Sequence, residues 1–200
     1  MARSTAQQPL AQADLAAPER NDGEAAGAIC RQVLLGRDCP LRTLAFSPDG
    51  SLLTASGDDL TVRVWDTTTL GPACEPLTGR AGTVWSAAFS PCGSVLGTAG
   101  DHTVRLWDPA AGRATRVLKA KHFSEIRSLA FSPRGSFLAA GDDGGMVHLW
   151  NQRSREPQGT PIAAHAGSVL VTTFTPDGSL LITSGVDRRV RRWVAATPRE

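Results

Sequence analysis

The chain has 200 residues, 41% hydrophobic and 20% charged, with a net charge of +2. That composition suits a folded core, and it excludes a membrane-spanning helix because no run of about 18 apolar residues occurs. The small net charge argues against nucleic acid as a partner.

Residues 1–28 differ in kind from the rest. They hold nine alanines and no aromatic residue, and their large apolar side chains are few, Leu10 and Leu15 among them. The segment reads as a disordered or weakly helical leader. It lacks the apolar stretch behind a basic start that marks a signal peptide. Cys30 to Leu35 reads as a short strand, and residues 29–200 read as one repeated array.

The repeat is visible at two anchors. Tryptophans at Trp65, Trp107, Trp150 and Trp193 are spaced by 42, 43 and 43 residues. Phenylalanines at Phe46, Phe89, Phe131 and Phe174 are spaced by 43, 42 and 43. A fixed period of this length signals stacked supersecondary units. In the first unit, Leu41 to Phe46 alternates apolar and polar residues as a strand does. Ser47-Pro48-Asp49-Gly50 reverses the chain, with proline presetting φ and glycine accepting a positive one. Leu52 to Ala55 forms the second strand, Gly57-Asp58-Asp59 a second turn, and the β-branched stretch Thr61 to Trp65 the third strand. Fourth strands are weaker and fall near Glu75–Thr78, Thr115–Lys119 and Gly159–Ala163.

These features resemble the WD-repeat family of β-propellers. The match rests on the Ser/Thr-Pro-x-Gly turns, the pairs Trp65-Asp66 and Trp107-Asp108, and the turn aspartates Asp59, Asp101 and Asp187 six residues before each tryptophan. The resemblance implies an all-β fold: a propeller segment of four blades, standing as an open arc or as half of a two-chain ring. It also implies a buried tetrad in each blade, made of a histidine, the turn aspartate, a second-strand Ser/Thr and the tryptophan. Mapped by position, the fourth repeat is complete, with His165, Asp187, Trp193, and Thr183 or Ser184. The third has His122 and Trp150 but Gly144 at the aspartate site. The second has Asp101 and Trp107 but Arg80 at the histidine site, and the first Asp59 and Trp65 but Arg37. Blades one to three are therefore expected to be softer.

No catalytic constellation emerges. His102 lies in a turn, and His148 reads as a surface or blade-face residue. The acidic pairs Asp58-Asp59 and Asp142-Asp143 fall in tight turns, where aspartate bonds its own backbone. Cys30, Cys39, Cys74 and Cys92 lack metal-ligand spacing and read as small thiols in a reducing compartment; Cys92 replaces a hairpin aspartate and should be exposed. No metal and no cofactor are expected.

The resemblance places the residue four before each phenylalanine at the channel rim: Arg42, Trp85, Arg127 and Leu170. Trp85 beside two arginines has the composition of an interface hot spot, able to take a cation over its ring, although packing between blades explains it equally well. Asp58 and Asp143, with Gly100 and Val186, should face the same rim. Arg192 stands where Val64, Leu106 and Leu149 face the next blade, so it either finds a carboxylate or is exposed. The reading is a cytoplasmic, non-enzymatic scaffold, in the style of bacterial signalling arrays, that binds a protein or peptide on the rim. A homodimer completing the ring is considered beside it. The rivals are a propeller enzyme with a channel site, weak nucleic-acid binding through Arg188, Arg189, Arg191 and Arg192, and a truncated remnant of a larger signalling protein.

Overall fold

A computed structural model describes residues 39–120, 124–154 and 156–194. The leader, the segment Cys30–Leu35, Arg37 and His122 lie outside them. The described strands form four antiparallel sheets, each a meander in chain order. Blade 1 is β1 (Leu41–Phe46), β2 (Leu52–Gly57) and β3 (Val62–Asp66). Blade 2 is β4 (Val84–Phe89), β5 (Leu96–Gly100), β6 (Thr103–Asp108) and β7 (Arg113–Lys119). Blade 3 is β8 (Ile126–Phe131), β9 (Phe137–Asp142), β10 (Met146–Asn151) and the two-residue β11 (Ile162–Ala163). Blade 4 is β12 (Val169–Phe174), β13 (Leu180–Gly185) and β14 (Val190–Val194). In blade 1 the fourth strand shrinks to bridges from Val62 to Leu77 and from Trp65 to Pro72.

The repeated turns fold for local reasons. Asp49 Oδ1 accepts hydrogen bonds from the Ser47 hydroxyl at 2.6 Å and the Ser51 N–H at 3.1 Å. Gly50 follows at φ 73°, a left-handed conformation that glycine adopts without a Cβ clash. The aspartate after the tryptophan caps the next turn. Asp66 Oδ1 accepts from the N–H groups of Thr68 and Thr69, Asp108 from Ala110 and Ala111, and Asn151 does the same work for Arg153 and Ser154.

The core lies between sheets. Val62, Val64 and Leu77 of blade 1 pack on Val84, Phe89 and Leu96 of blade 2. Val104 and Leu106 of blade 2 meet Ile126, Leu129 and Leu138 of blade 3, and Val147 of blade 3 meets Val169 and Leu181 of blade 4. Burying one such side chain fully is worth about 1.5–3 kcal/mol, so each blade is held largely by its neighbours. Among the described residues, the outward faces of the first and last blades find no such cover. Phe46 is 64% exposed where Phe89 is 9%, and Val190 is 73% exposed.

Candidate functional site

One backbone device recurs at the start of every first strand. The register slips by one residue between Leu41 and Thr43, Val84 and Ser86, Ile126 and Ser128, and Val169 and Val171. The extra residue is Arg42, Trp85, Arg127 or Leu170. A bulge bends the strand and re-aims the side chain of its unpaired residue. The four positions singled out in the sequence are thus the bulge residues of the four blades.

At three of these bulges the side chains form one ladder. Arg42 donates through Nε and Nη2 to the two carboxylate oxygens of Asp58, at 3.0 and 2.6 Å. Arg127 grips Asp143 in the same way, at 2.7 and 2.8 Å, and lies 2.9 Å from Glu125. Both guanidiniums also sit against the indole of Trp85, Arg42 at 5.2 Å and Arg127 at 3.9 Å from the ring centre. Hydrogen bonding to the arginines holds both carboxyls below the usual carboxylate range and raises both arginines. The Ser168 hydroxyl of blade 4 bonds to Asp143, which carries the ladder onto the last blade. Trp85 is half-buried, and its Nε1 has no hydrogen-bond partner. Its arginine neighbours are the cations on its ring.

Blade 4 continues the rim differently. Where blades 1 and 3 carry an Arg–Asp pair, it carries Leu170 and Val186, each 52% exposed. The sequence singled out both positions by register. Their joint exposure as an apolar patch beside a charged ladder emerges only from the fold.

Apart from the bulges lie the blade centres. In blade 4, His165 meets Asp187 through Nδ1 and Thr183 through Nε2, each at 2.8 Å, and Trp193 Nε1 donates to Thr183 at 3.0 Å. Thr183, not Ser184, is the bridging hydroxyl. Arg191 donates to Asp187 at 2.7 Å, so the arginine cluster of the last blade does not act as one exposed patch. Arg192 is exposed.

Blade 2 departs from the expectation of an incomplete centre. Arg80 takes the histidine's place, donating to Asp101 at 3.2 Å, to the Thr98 hydroxyl at 2.8 Å and to the Thr98 carbonyl. Trp107 Nε1 completes the set on Thr98 at 2.8 Å. Burial pushes the Arg80 guanidinium down to about 10, against the opposing pull of Asp101, so it stays charged at neutral pH.

Blade 3 decides between the surface and blade-face readings of His148. His148 is not at the surface; it is 4% exposed. Its Nε2 lies 2.8 Å from Asp142, which ends β9 and is wholly buried. Asp142 pairs with Ile126 at the place where Gly57, Gly100 and Gly185 pair with the first strands of their blades. The acid that Gly144 fails to supply comes from two residues earlier. Trp150 stacks on His148 at 5.8 Å. In blade 1, Arg63 reaches Asp59 at 2.7 Å, and Trp65 is buried.

At the opposite ends of the strands, Cys92 takes the place of Asp49 and Asp177. Hydrogen bonds from Ser90 and Ser94 lower its thiol to about 7, and it is exposed, as the sequence suggested. Among the described residues no group of three or more His, Cys, Asp or Glu side chains could hold a metal ion, and no helix is long and apolar enough to cross a membrane.

The family described as WD domain, G-beta repeat matches residues 28–66, 74–108, 112–151 and 155–193. The chain belongs to the WD-repeat family. It is 29% identical over 157 residues to the Protein LST8 homolog of Drosophila melanogaster, covering 75% of this chain and 50% of that one. It is 28% identical over 169 residues to a guanine nucleotide-binding protein subunit beta of Oryza sativa subsp. japonica, covering 79% and 44%. A third relative is transcription initiation factor TFIID subunit 5 of Caenorhabditis elegans, at 27% over 168 residues, covering 82% and 25%. The chain spans half or less of the length of these relatives. WD-repeat proteins are typically non-enzymatic protein-interaction scaffolds, and two of these relatives are named as subunits.

Proposed function

We propose that this chain is a cytoplasmic signalling scaffold that binds an extended protein segment across its rim. The observation carrying the reading is the ladder Asp58–Arg42–Trp85–Arg127–Asp143 set beside the exposed pair Leu170 and Val186. Arginine and tryptophan dominate interface hot spots. Here they are fixed before any partner arrives, so little side-chain freedom is lost on binding. A partner would lay an apolar side chain on Leu170 and Val186 and set polar groups along the ladder. Because each arginine already has its carboxylate, the rim is close to neutral and favours a peptide of mixed charge over a polyanion. The free thiols Cys39, Cys74 and Cys92 fit a reducing compartment.

Selection of a displayed random peptide library on the wild-type chain tests this. Selected peptides should lose at least tenfold in affinity to Trp85→Ala and to Leu170→Asp, with the melting curve of each variant kept close to wild type. Selected peptides that bind both variants as well as wild type would overturn the rim as the site.

A further inference from the structure

The hairpins between first and second strands share one backbone, and three of the four carry their own acceptor. Gly50, Gly93, Gly135 and Gly178 lie at φ between 68° and 74°, and each N–H bonds to the carbonyl three residues earlier. In blade 1 the Asp49 carboxylate takes the Ser47 hydroxyl at 2.6 Å, the Ser51 N–H at 3.1 Å and the Ser51 hydroxyl at 2.8 Å. In blade 4 Asp177 takes the Thr175 hydroxyl at 2.5 Å, the Ser179 N–H at 3.0 Å and the Ser179 hydroxyl at 2.8 Å. These bonds hold both carboxyls down at about 2, so the donor set favours an anion. In blade 2 the Cys92 sulfur fills the same place, 3.4 Å from the Ser90 hydroxyl and 3.0 Å from that of Ser94.

Blade 3 keeps the donors and replaces the acceptor with a cation. Arg134 stands at the position of Asp49, Cys92 and Asp177. The turn itself is unchanged: the Phe137 N–H donates to Ser132 Oγ at 2.9 Å, as the Leu52 N–H does to Ser47 Oγ at 2.9 Å. Ser132 is 3% exposed, and its hydroxyl proton finds no acceptor among the described residues. Neither do the N–H and hydroxyl of Ser136, and Arg134 is exposed with no ion pair there. Ser132, Arg134 and Ser136 line one cavity of about 150 Å³, whose far wall is Asp177, Gly178 and Ser179 of blade 4.

We propose that the blade 3 hairpin binds a carboxylate offered by a partner, the side chain of an aspartate or glutamate, where blades 1 and 4 seat their own. The inference goes beyond rim binding and lies at the opposite ends of the strands. A carboxylate is the occupant because the chain holds one on this donor set twice. Arg134 adds a charge-assisted bond that the hairpins of blades 1 and 4 lack. Arg153, also exposed, lines the adjoining cleft with Arg134 and extends the positive surface along which an acidic segment would be drawn. Asp177 on the far wall has its carboxylate committed within its own hairpin. Its charge repels a dianion such as phosphate about twice as strongly as a single carboxylate.

NMR of the backbone amides, on the full chain at constant ionic strength, reads the site. The probe is glutamate blocked at both ends, as N-acetyl-glutamate N-methylamide. The Ser136 N–H should move downfield along a saturating curve. The Ser51 and Ser179 amides should stay, since they already hold carboxylates. The glutamine analogue should leave Ser136 unmoved. Arg134→Ala should weaken binding about threefold or more. Arg134→Asp supplies the carboxylate from the chain itself, so it should shift the Ser136 amide without the probe and abolish the titration. Arg134 is exposed, so both variants should keep the wild-type fold, which the amides of blades 1 and 2 report. A Ser136 amide that the glutamate probe leaves unmoved overturns the proposal. So does equal movement with the glutamine analogue, or saturation by inorganic phosphate at lower concentration than by the probe.

Discussion

Blades 2 and 4 meet the same requirement with different side chains. Each must tie a turn aspartate to a second-strand threonine that also accepts from the anchor tryptophan. Blade 4 uses His165, whose two ring nitrogens reach Asp187 and Thr183. Blade 2 uses the longer Arg80, which spans Asp101, Thr98 and the Thr103 carbonyl. The requirement is thus for hydrogen-bonding groups at two points in space and not for one residue type. The blades also differ in redundancy. Asp187 has both His165 and Arg191, while among the described residues Asp101 has Arg80 as its one ion-pair partner. Loss of the bridging side chain should therefore hurt blade 2 more.

The largest effect should come from Arg80→Ala. It breaks the buried ion pair with Asp101, removes the donor to the Thr98 hydroxyl and carbonyl and leaves a cavity, and should cost about 3–5 kcal/mol, read as a fall in urea midpoint. Arg80→His, which imports the solution of blade 4, should recover more than half of that loss. If the two variants unfold alike, the equivalence of the centres is wrong. Next comes Asp142→Ala in blade 3. It removes the acceptor for His148 and for the Met146 N–H from a site with no solvent access, and should cost about 2–4 kcal/mol. Urea curves that match wild type would mean that blade 3 does not rely on its displaced acid.

His165→Ala should cost less, about 2 kcal/mol, because Arg191 still holds Asp187. A loss as large as that of Arg80→Ala would remove redundancy from the comparison. The smallest effect is a pH dependence. Hydrogen bonds from Arg191 and His165 hold the Asp187 carboxyl well below the usual range. Its folded pKa lies below its unfolded one, so its stabilisation is complete above about pH 4 and fades as pH falls through the folded value. The stability gap between wild type and Asp187→Asn should be constant from pH 7 to 5 and shrink below pH 4. A gap that stays unchanged to pH 2 would mean that the carboxylate charge plays no part.

The legible and illegible parts of the fold differ by physical range. The Ser-Pro-Asp-Gly hairpins and the Trp-Asp ends were readable because each is held by bonds within a few residues, as Asp49 and Asp66 show. The repeat-equivalent positions Arg42, Trp85, Arg127 and Leu170 were readable by register. Their joining through Trp85 was not, because Arg42, Trp85 and Arg127 come from three blades and meet only once those blades stack. Blade 3 misled the sequence reading for a related cause. Asp142 occupies a glycine position by alignment, and only the fold shows its carboxylate delivered to the interior while His148 turns in to meet it. Blade 2 misled it because position-matching to a histidine pattern overlooks a side chain long enough to make the same contacts.

The sequence by itself determined the four repeats and the strand and turn order within each, since these follow from local dihedral preferences and a period near 43 residues. Only the tertiary structure decided which side chains bridge neighbouring blades and which buried side chain serves each centre. Those outcomes depend on distances between segments some 40 residues apart, which packing of sheet on sheet sets and no local preference encodes.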